Sequence, residues 1–137
     1  MTFCSSDGPQ RRDPTGRHLS FRRVGAHTTA GGRVAGAHRC VVITVGELRL
    51  ALLAASDGCS RGRRLETLNR AQALDPLPVD TRVAAAWAAL RLALRDAGQR
   101  MPVNDSWIAA TAIARGMPVA CQDSDYDGVT GLRVIRL

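Results

Sequence analysis

The sequence contains no lysine, and all 19 of its basic residues are arginine. With 12 acidic residues the formal net charge is +7 and the isoelectric point is about 10.8. A charge of this sign and size favours polyanionic partners, and arginine suits bidentate contact with phosphate. Codon usage in a GC-rich genome is the alternative explanation for the missing lysines.

Aromatic residues are scarce, at 4% of the 137 residues, so the core has to be built mostly from Ala, Val and Leu. No apolar run approaches the roughly 20 residues that span a bilayer, and the first residues lack the compact apolar stretch of a signal peptide. We therefore expect one domain, no membrane association and a cytoplasmic location.

The four cysteines, at positions 4, 40, 59 and 121, form no C-x-x-C pair. The three histidines all precede residue 40, so none has a zinc-like spacing from the later cysteines. A disulfide framework is not expected in a chain without a secretion signal. We interpret the cysteines as small hydrophobic residues.

The chain divides near residue 40 into two parts of different composition. Residues 1–39 contain seven arginines and two aspartates but few large apolar residues, and no period of 3.6 or 2 persists there. This composition predicts an atypical, disordered segment. Residues 40–137 carry regular apolar patterns and are predicted to form the folded domain.

Within residues 40–137 the patterns predict an α/β fold with a small, mainly parallel sheet. We expect Trp87 and Trp107 to be core anchors rather than platforms for stacking bases. The predicted strands are residues 40–44, 117–122 and 132–137, with a short extended piece in 75–80. The predicted helices are residues 45–55, 63–74, 81–98 and 104–116.

Three carboxylates follow strands or begin helices in this arrangement: Glu47, Asp105 and Asp123. Because the carboxyl ends of parallel strands and the starts of the following helices meet at one edge, these side chains can converge there. Hard cations such as Mg²⁺ take oxygen ligands, and a bound divalent ion can activate water against a phosphodiester. The set predicts a metal-dependent site.

Each carboxylate also has a purely structural explanation. Thr44-x-x-Glu47 matches a capping box. Asn104 or Asp105 can cap the helix 104–116. The aspartates at 123, 125 and 127 can form a solvated turn.

The stretch D-x-D-x-D-G at residues 123–128 also matches the opening of a calcium-binding EF-hand loop. That loop requires a glutamate at its twelfth position, which here is Val134. It also requires flanking helices, whereas the sequence predicts strands on both sides. We therefore do not expect an EF-hand.

Taken together, "ITVGELRLALLAA", "NDSWIAATA" and "PVACQDSDYDGVTGLRV" closely resemble the VapC-type toxins of the PIN-domain ribonuclease family. The resemblance covers residues 40–137. It implies a three-layer α/β/α sandwich and an endoribonuclease that uses Mg²⁺ or Mn²⁺. It also implies a VapB-type antitoxin as partner, an RNA substrate and a homodimer.

Carried over by position, the resemblance assigns the acidic catalytic and metal-binding roles to Glu47, Asp105 and Asp123. Asp125 is a nearby helper ligand for the metal. Thr44 and Asn104 occupy places where the family often has a polar residue beside the acids.

The family's opening strand, which ends in the first acidic ligand, has no counterpart in residues 1–39. Asp7 and Asp13 follow no apolar run, and Pro14 does not suit a paired strand. Without that strand and ligand we expect weak metal binding, and a degenerate protein that binds antitoxin or RNA without cleaving it is the alternative function. We hypothesise a shifted reading frame, because codons for residues 15–24 read one base later permit L-V-D-T-S-V-S-V-E-W, which fits the missing strand.

Overall fold

The computed structural model describes residues 23–25, 28–30, 33–35, 38–121 and 124–136. Its helices are α1 (Val42–Leu53), α2 (Gly58–Ala73), α3 (Thr81–Asp96) and α4 (Val103–Arg115). Its strands are β1 (Arg23–Gly25), β2 (Thr28–Ala30), β3 (Arg33–Ala35), β4 (His38–Arg39), β5 (Val119–Cys121) and β6 (Val134–Arg136).

Within these residues the main sheet has the order β4-β1-β5-β6, and β2 pairs with β3 separately. The β5–β6 pair is parallel, with Val119 opposite Val134, whereas β1 runs antiparallel to both of its neighbours. A further parallel bridge joins Val41 to Leu77. The predicted α/β class is confirmed. The assignment of residues 1–39 as a separate segment stays a prediction.

The predicted strand at residues 40–44 is wrong beyond its first two residues, because helix α1 already begins at Val42. Cys40 and Val41 stay extended beside Leu77, whose amide donates to the Cys40 carbonyl at 2.7 Å. The Thr44 amide then donates to the Val41 carbonyl at 2.9 Å and closes the first helical turn. Tertiary context here overrides the strand preference of a β-branched run.

Helix α2 begins at Gly58, five residues before the predicted start at 63. Its N-cap is Asp57, whose side chain accepts a hydrogen bond from the Ser60 amide at 2.8 Å. The glycines at 58 and 62 indicated a loop, but the cap satisfies an amide that a helix start otherwise leaves unpaired.

Helix α4 lies at the centre of the core. Its alanines at 109, 110 and 112 are fully buried, as is Ile108, and Val119 of β5 is buried in the same cluster. Trp87 of α3 and Trp107 of α4 stack with ring centroids 4.4 Å apart and planes 5° from parallel. Both rings pack against the core, which confirms the prediction that they are core anchors.

Asp80 joins the start of α3 to the end of α4. Its carboxylate accepts a hydrogen bond from the Val83 amide at 2.9 Å and pairs with Arg115 at 3.1 Å. The Val83 hydrogen bond, helped by the Arg115 charge, lowers the pKa of the Asp80 carboxyl. The stabilisation is therefore fully present above the ordinary carboxyl pKa of about 3.9 and is lost as the pH falls through the lowered pKa.

We expect Asp80→Ala to lower the melting temperature by a few degrees at neutral pH, because it removes both the cap and the ion pair. Asp80→Asn should retain most of the stability at neutral pH, since asparagine also caps helices, but should lose the part of the acid dependence that the Asp80 carboxyl contributes. Thermal melts of the three proteins from pH 7 to pH 3 test this. Identical melting of the alanine variant and the unmodified chain at pH 7 would contradict it.

Candidate active site

Three consecutive residues in the first turn of α4 each contact a different part of the fold. The side chain of Asn104 reaches α1, that of Asp105 reaches the turn after β5, and that of Ser106 reaches α3. The first turn of α4 is therefore the place where three other segments meet, and two of these contacts involve predicted site residues.

The local sequence M-P-V-N-D-S explains why the helix begins here. Pro102 is the N-cap residue, and its carbonyl accepts from the Ser106 amide at 2.9 Å. The Ser106 hydroxyl accepts from the Trp87 indole N–H at 2.9 Å and donates to the Val103 carbonyl at 2.6 Å. Neither Asn104 nor Asp105 is the N-cap residue, so the capping explanation of Asp105 is wrong, whereas its place in the first turn agrees with the dipole explanation.

Glu47 lies half-buried on α1. The Asn104 amide nitrogen Nδ2 donates to Glu47 Oε1 at 2.9 Å across 57 positions of sequence. The structure thus brings Glu47 against the helical turn that carries Asp105, as the sequence predicts. The ligand and catalytic roles of these two carboxylates stay predictions.

Asp105 is more deeply buried than Glu47, with 8% of its surface exposed. The hydroxyl of Tyr126, itself fully buried, donates to Asp105 Oδ1 at a long 3.4 Å. Asp105 also lies in the first turn of α4, where the helix dipole favours negative charge. Hydrogen bonding and the dipole together make a buried carboxylate tolerable.

Asp123, the third predicted ligand, lies outside the described residues. Asp125, the predicted helper, lies in the turn after it with an exposed side chain. The turn closes with an Asp127 amide donating to the Ser124 carbonyl at 2.9 Å, and the Asp127 carboxylate pairs with Arg136 of β6. Because β5 and β6 flank this turn, it is not an EF-hand loop.

Thr44 is the third residue of α1 and does not cap it, because the N-cap is Val41. The capping-box explanation of Glu47 is therefore wrong. The Thr44 side chain is buried, and its hydroxyl Oγ1 has no hydrogen-bond partner among the described residues. Since Thr44 and Glu47 are three apart on one helix, they lie on the same face.

The donor set suits a hard divalent cation. Mg²⁺ binds through one or two carboxylates and keeps several waters, and Glu47 and Asp105 supply two such groups. The orphaned Thr44 hydroxyl on the Glu47 face is a further oxygen. In the described ranges, no three His, Cys, Asp or Glu side chains group together to hold a metal ion.

Sequence reasoning missed two contacts of this site: the Tyr126 hydroxyl with Asp105 and the Trp87 indole with Ser106. Tyr126 is the single tyrosine of the chain, and no periodic pattern places it in the core. Trp87 follows the apolar stripe of α3, but nothing in that stripe indicates a hydrogen bond to Ser106. Both contacts depend on how helices and turns pack rather than on local spacing.

The sequence model of the PIN domain matches residues 26–132 of this chain. The chain belongs to the PIN-domain family. This PIN-domain chain is 48% identical over 96 residues to Ribonuclease VapC4 of Mycobacterium tuberculosis. The alignment covers 70% of this chain and 74% of VapC4. It is also 42% identical over 99 residues to Ribonuclease VapC5 of the same species. That alignment covers 70% of this chain and 73% of VapC5.

A crystal structure of a similar protein supports the same assignment. VapBC-5 from M. tuberculosis, a member of the VapBC family of toxin-antitoxin systems, superposes with a TM-score of 0.69 and 41% identity, covering 72% of this chain and 81% of that chain. The predicted VapC-type PIN fold is confirmed. Among the described residues, the helices lack the combined length and apolar character that crossing a bilayer requires.

Proposed function

We propose that this PIN-domain chain is the toxin of a type II toxin-antitoxin system and a metal-dependent endoribonuclease that cleaves RNA phosphodiester bonds. The observation that carries the proposal is the bond between Asn104 and Glu47, which sets the Glu47 carboxylate against the helical turn of Asp105. Two similar proteins are named ribonucleases.

Glu47 and Asp105 would hold a divalent cation, Mg²⁺ or Mn²⁺, together with Asp123 and with Asp125 as helper. The cation supplies an activated water and neutralises charge on the phosphodiester. Asn104 orients the Glu47 carboxylate through its Nδ2. The first turn of α4 adds its positive dipole end, which favours the anionic groups that meet there.

The partner that fits this proposal is a VapB-type antitoxin, since VapBC-5 is a toxin-antitoxin structure. Helices α1 and α2 pack together and expose Leu50, Leu53 and Leu65, with 68%, 74% and 46% of their surfaces accessible. Leu50 and Leu53 are three positions apart on α1 and so lie on one face, and exposed apolar patches mark protein interaction sites. We assign this leucine surface to the antitoxin, and we extend the proposal to a homodimer that acts on RNA in the cytoplasm.

A second candidate function is a non-catalytic protein that binds antitoxin or RNA. One observation favours it: residues 1–39 contain no apolar run that ends in an aspartate, which is where the family has its first acidic ligand. Such a protein would bind its antitoxin but leave RNA intact. Its RNA affinity would fall steeply with salt if phosphate contacts dominate.

Metal removal tests the catalytic proposal. We expect the purified chain to cleave RNA with Mg²⁺, to stop in EDTA, and to recover when Mg²⁺ or Mn²⁺ is added in excess. Glu47→Gln should reduce the rate of RNA cleavage more than about 100-fold. Substitution of residues that only hydrogen-bond to a metal ligand already lowers metal affinity or activity about 10–100-fold. Gel assays of RNA cleavage measure both effects.

Glu66→Gln is the matched control, since Glu66 is exposed on α2 and pairs with Arg70. It should cleave RNA normally. Cleavage that persists in EDTA would refute metal dependence. Antitoxin binding by the unmodified chain without any cleavage in Mg²⁺ or Mn²⁺ would select the second candidate function.

A further inference from the structure

The turn between β5 and β6 buries the chain's single tyrosine. Tyr126 is fully buried, although its neighbours Asp125 and Asp127 are exposed. Its hydroxyl lies 3.4 Å from Asp105 Oδ1. An aromatic side chain from a surface turn therefore reaches a candidate ligand on the central helix.

The hydroxyl is the unusual part of this contact. The ring packs in the same core cluster as Ile108 and Val129, where a phenylalanine would supply the same apolar volume. A buried phenol hydroxyl needs a hydrogen-bond partner, and a carboxylate is a stronger acceptor than a neutral group. The ring accounts for packing, and the hydroxyl contacts Asp105.

The turn itself is anchored, so it can hold the phenol in place. The Asp127 carboxylate pairs with Arg136 of β6, and the Asp127 amide donates to the Ser124 carbonyl at 2.9 Å. Gly128 has a φ of +73°, a left-handed conformation that glycine adopts without strain. Tyr126 is thus fixed by the turn on one side and by the core on the other.

We propose that Tyr126 is a positioning residue that holds the Asp105 carboxylate in the orientation needed to bind a divalent cation. The inference rests on the proposed function, because it assigns Asp105 a metal. Partners of metal ligands typically contribute 10–100-fold in metal affinity. The 3.4 Å separation is long for an O–H···O bond. We therefore expect that removing the Tyr126 hydroxyl lowers the metal affinity roughly tenfold, at the lower end of that range.

Tyr126→Phe tests the proposal directly, because it removes the hydroxyl and retains the ring. The affinity for Mn²⁺, measured from the electron paramagnetic resonance signal of free Mn²⁺, should fall roughly tenfold. Thr111→Val is the matched control: it removes another buried hydroxyl of α4, one that donates to the Trp107 carbonyl. This control should bind Mn²⁺ like the unmodified chain.

Equal Mn²⁺ affinity of Tyr126→Phe and the unmodified chain would overturn the proposal. So would an equal loss in Thr111→Val, since any lost buried hydroxyl would then suffice. If the unmodified chain binds no Mn²⁺, the metal site of the proposed function fails and the positioning role fails with it.

A metal-free measurement separates the two failures. With ¹³C-labelled tyrosine the chain gives one ring Cζ resonance, because it has one tyrosine. Asp105→Asn should shift this resonance without any metal, since a neutral amide replaces the charged acceptor. Asp96→Asn, which changes an exposed carboxylate at the end of α3, should leave it in place. A resonance that Asp105→Asn does not move would refute the contact whatever the metal result.

Discussion

Asp105→Asn should reduce RNA cleavage more than about 100-fold, while the protein remains folded. The substitution keeps the size of a side chain that is 8% exposed and can still accept from the Tyr126 hydroxyl. It removes the charge that a divalent cation requires. The loss should therefore appear in activity and in Mn²⁺ affinity, with a much smaller change in melting temperature.

Asp96→Asn provides the matched control for this result. Asp96 ends α3, is exposed and pairs with the adjacent Arg95. Its variant should cleave RNA and bind Mn²⁺ normally. If Asp105→Asn retained full cleavage, the assignment of Asp105 to the site would be wrong, and the proposed endoribonuclease activity would lose its main residue.

Replacement of residues 15–24 by the frame-shifted sequence L-V-D-T-S-V-S-V-E-W should raise Mn²⁺ affinity and RNA cleavage by at least about tenfold. The reason is chemical: the replacement adds a carboxylate at the end of an apolar strand. A further ligand strengthens a site that has few, and burial of apolar side chains stabilises a fold. Titration with Mn²⁺ and cleavage assays on both proteins measure the change.

A second replacement, identical except that its aspartate is asparagine, separates the two contributions. It should gain thermal stability from the strand but not Mn²⁺ affinity. The nucleotide sequence around codons 10–40 gives an independent check, because the shifted frame must encode an apolar strand and an aspartate. Equal Mn²⁺ affinity of the original and the aspartate replacement would refute the hypothesis.

Local patterns predicted the helices well where the pattern was long. The helix predicted at 81–98 is Thr81–Asp96, and the helix predicted at 104–116 is Val103–Arg115. Helix ends follow from local chemistry as well, since Gly116 has a φ of +63° and ends α4. The start of α2 was missed because two glycines masked the cap at Asp57.

The sequence by itself determined which residue types could do the chemistry: three carboxylates, Glu47, Asp105 and Asp123, within a pattern typical of one family. Only the tertiary structure decided their contacts, which join Glu47 to Asn104 and Asp105 to Tyr126. It also decided that Thr44 is buried inside α1 instead of capping it. The physical reason is that helical period and caps arise from neighbours in sequence, whereas these contacts join residues 21 and 57 positions apart and depend on packing.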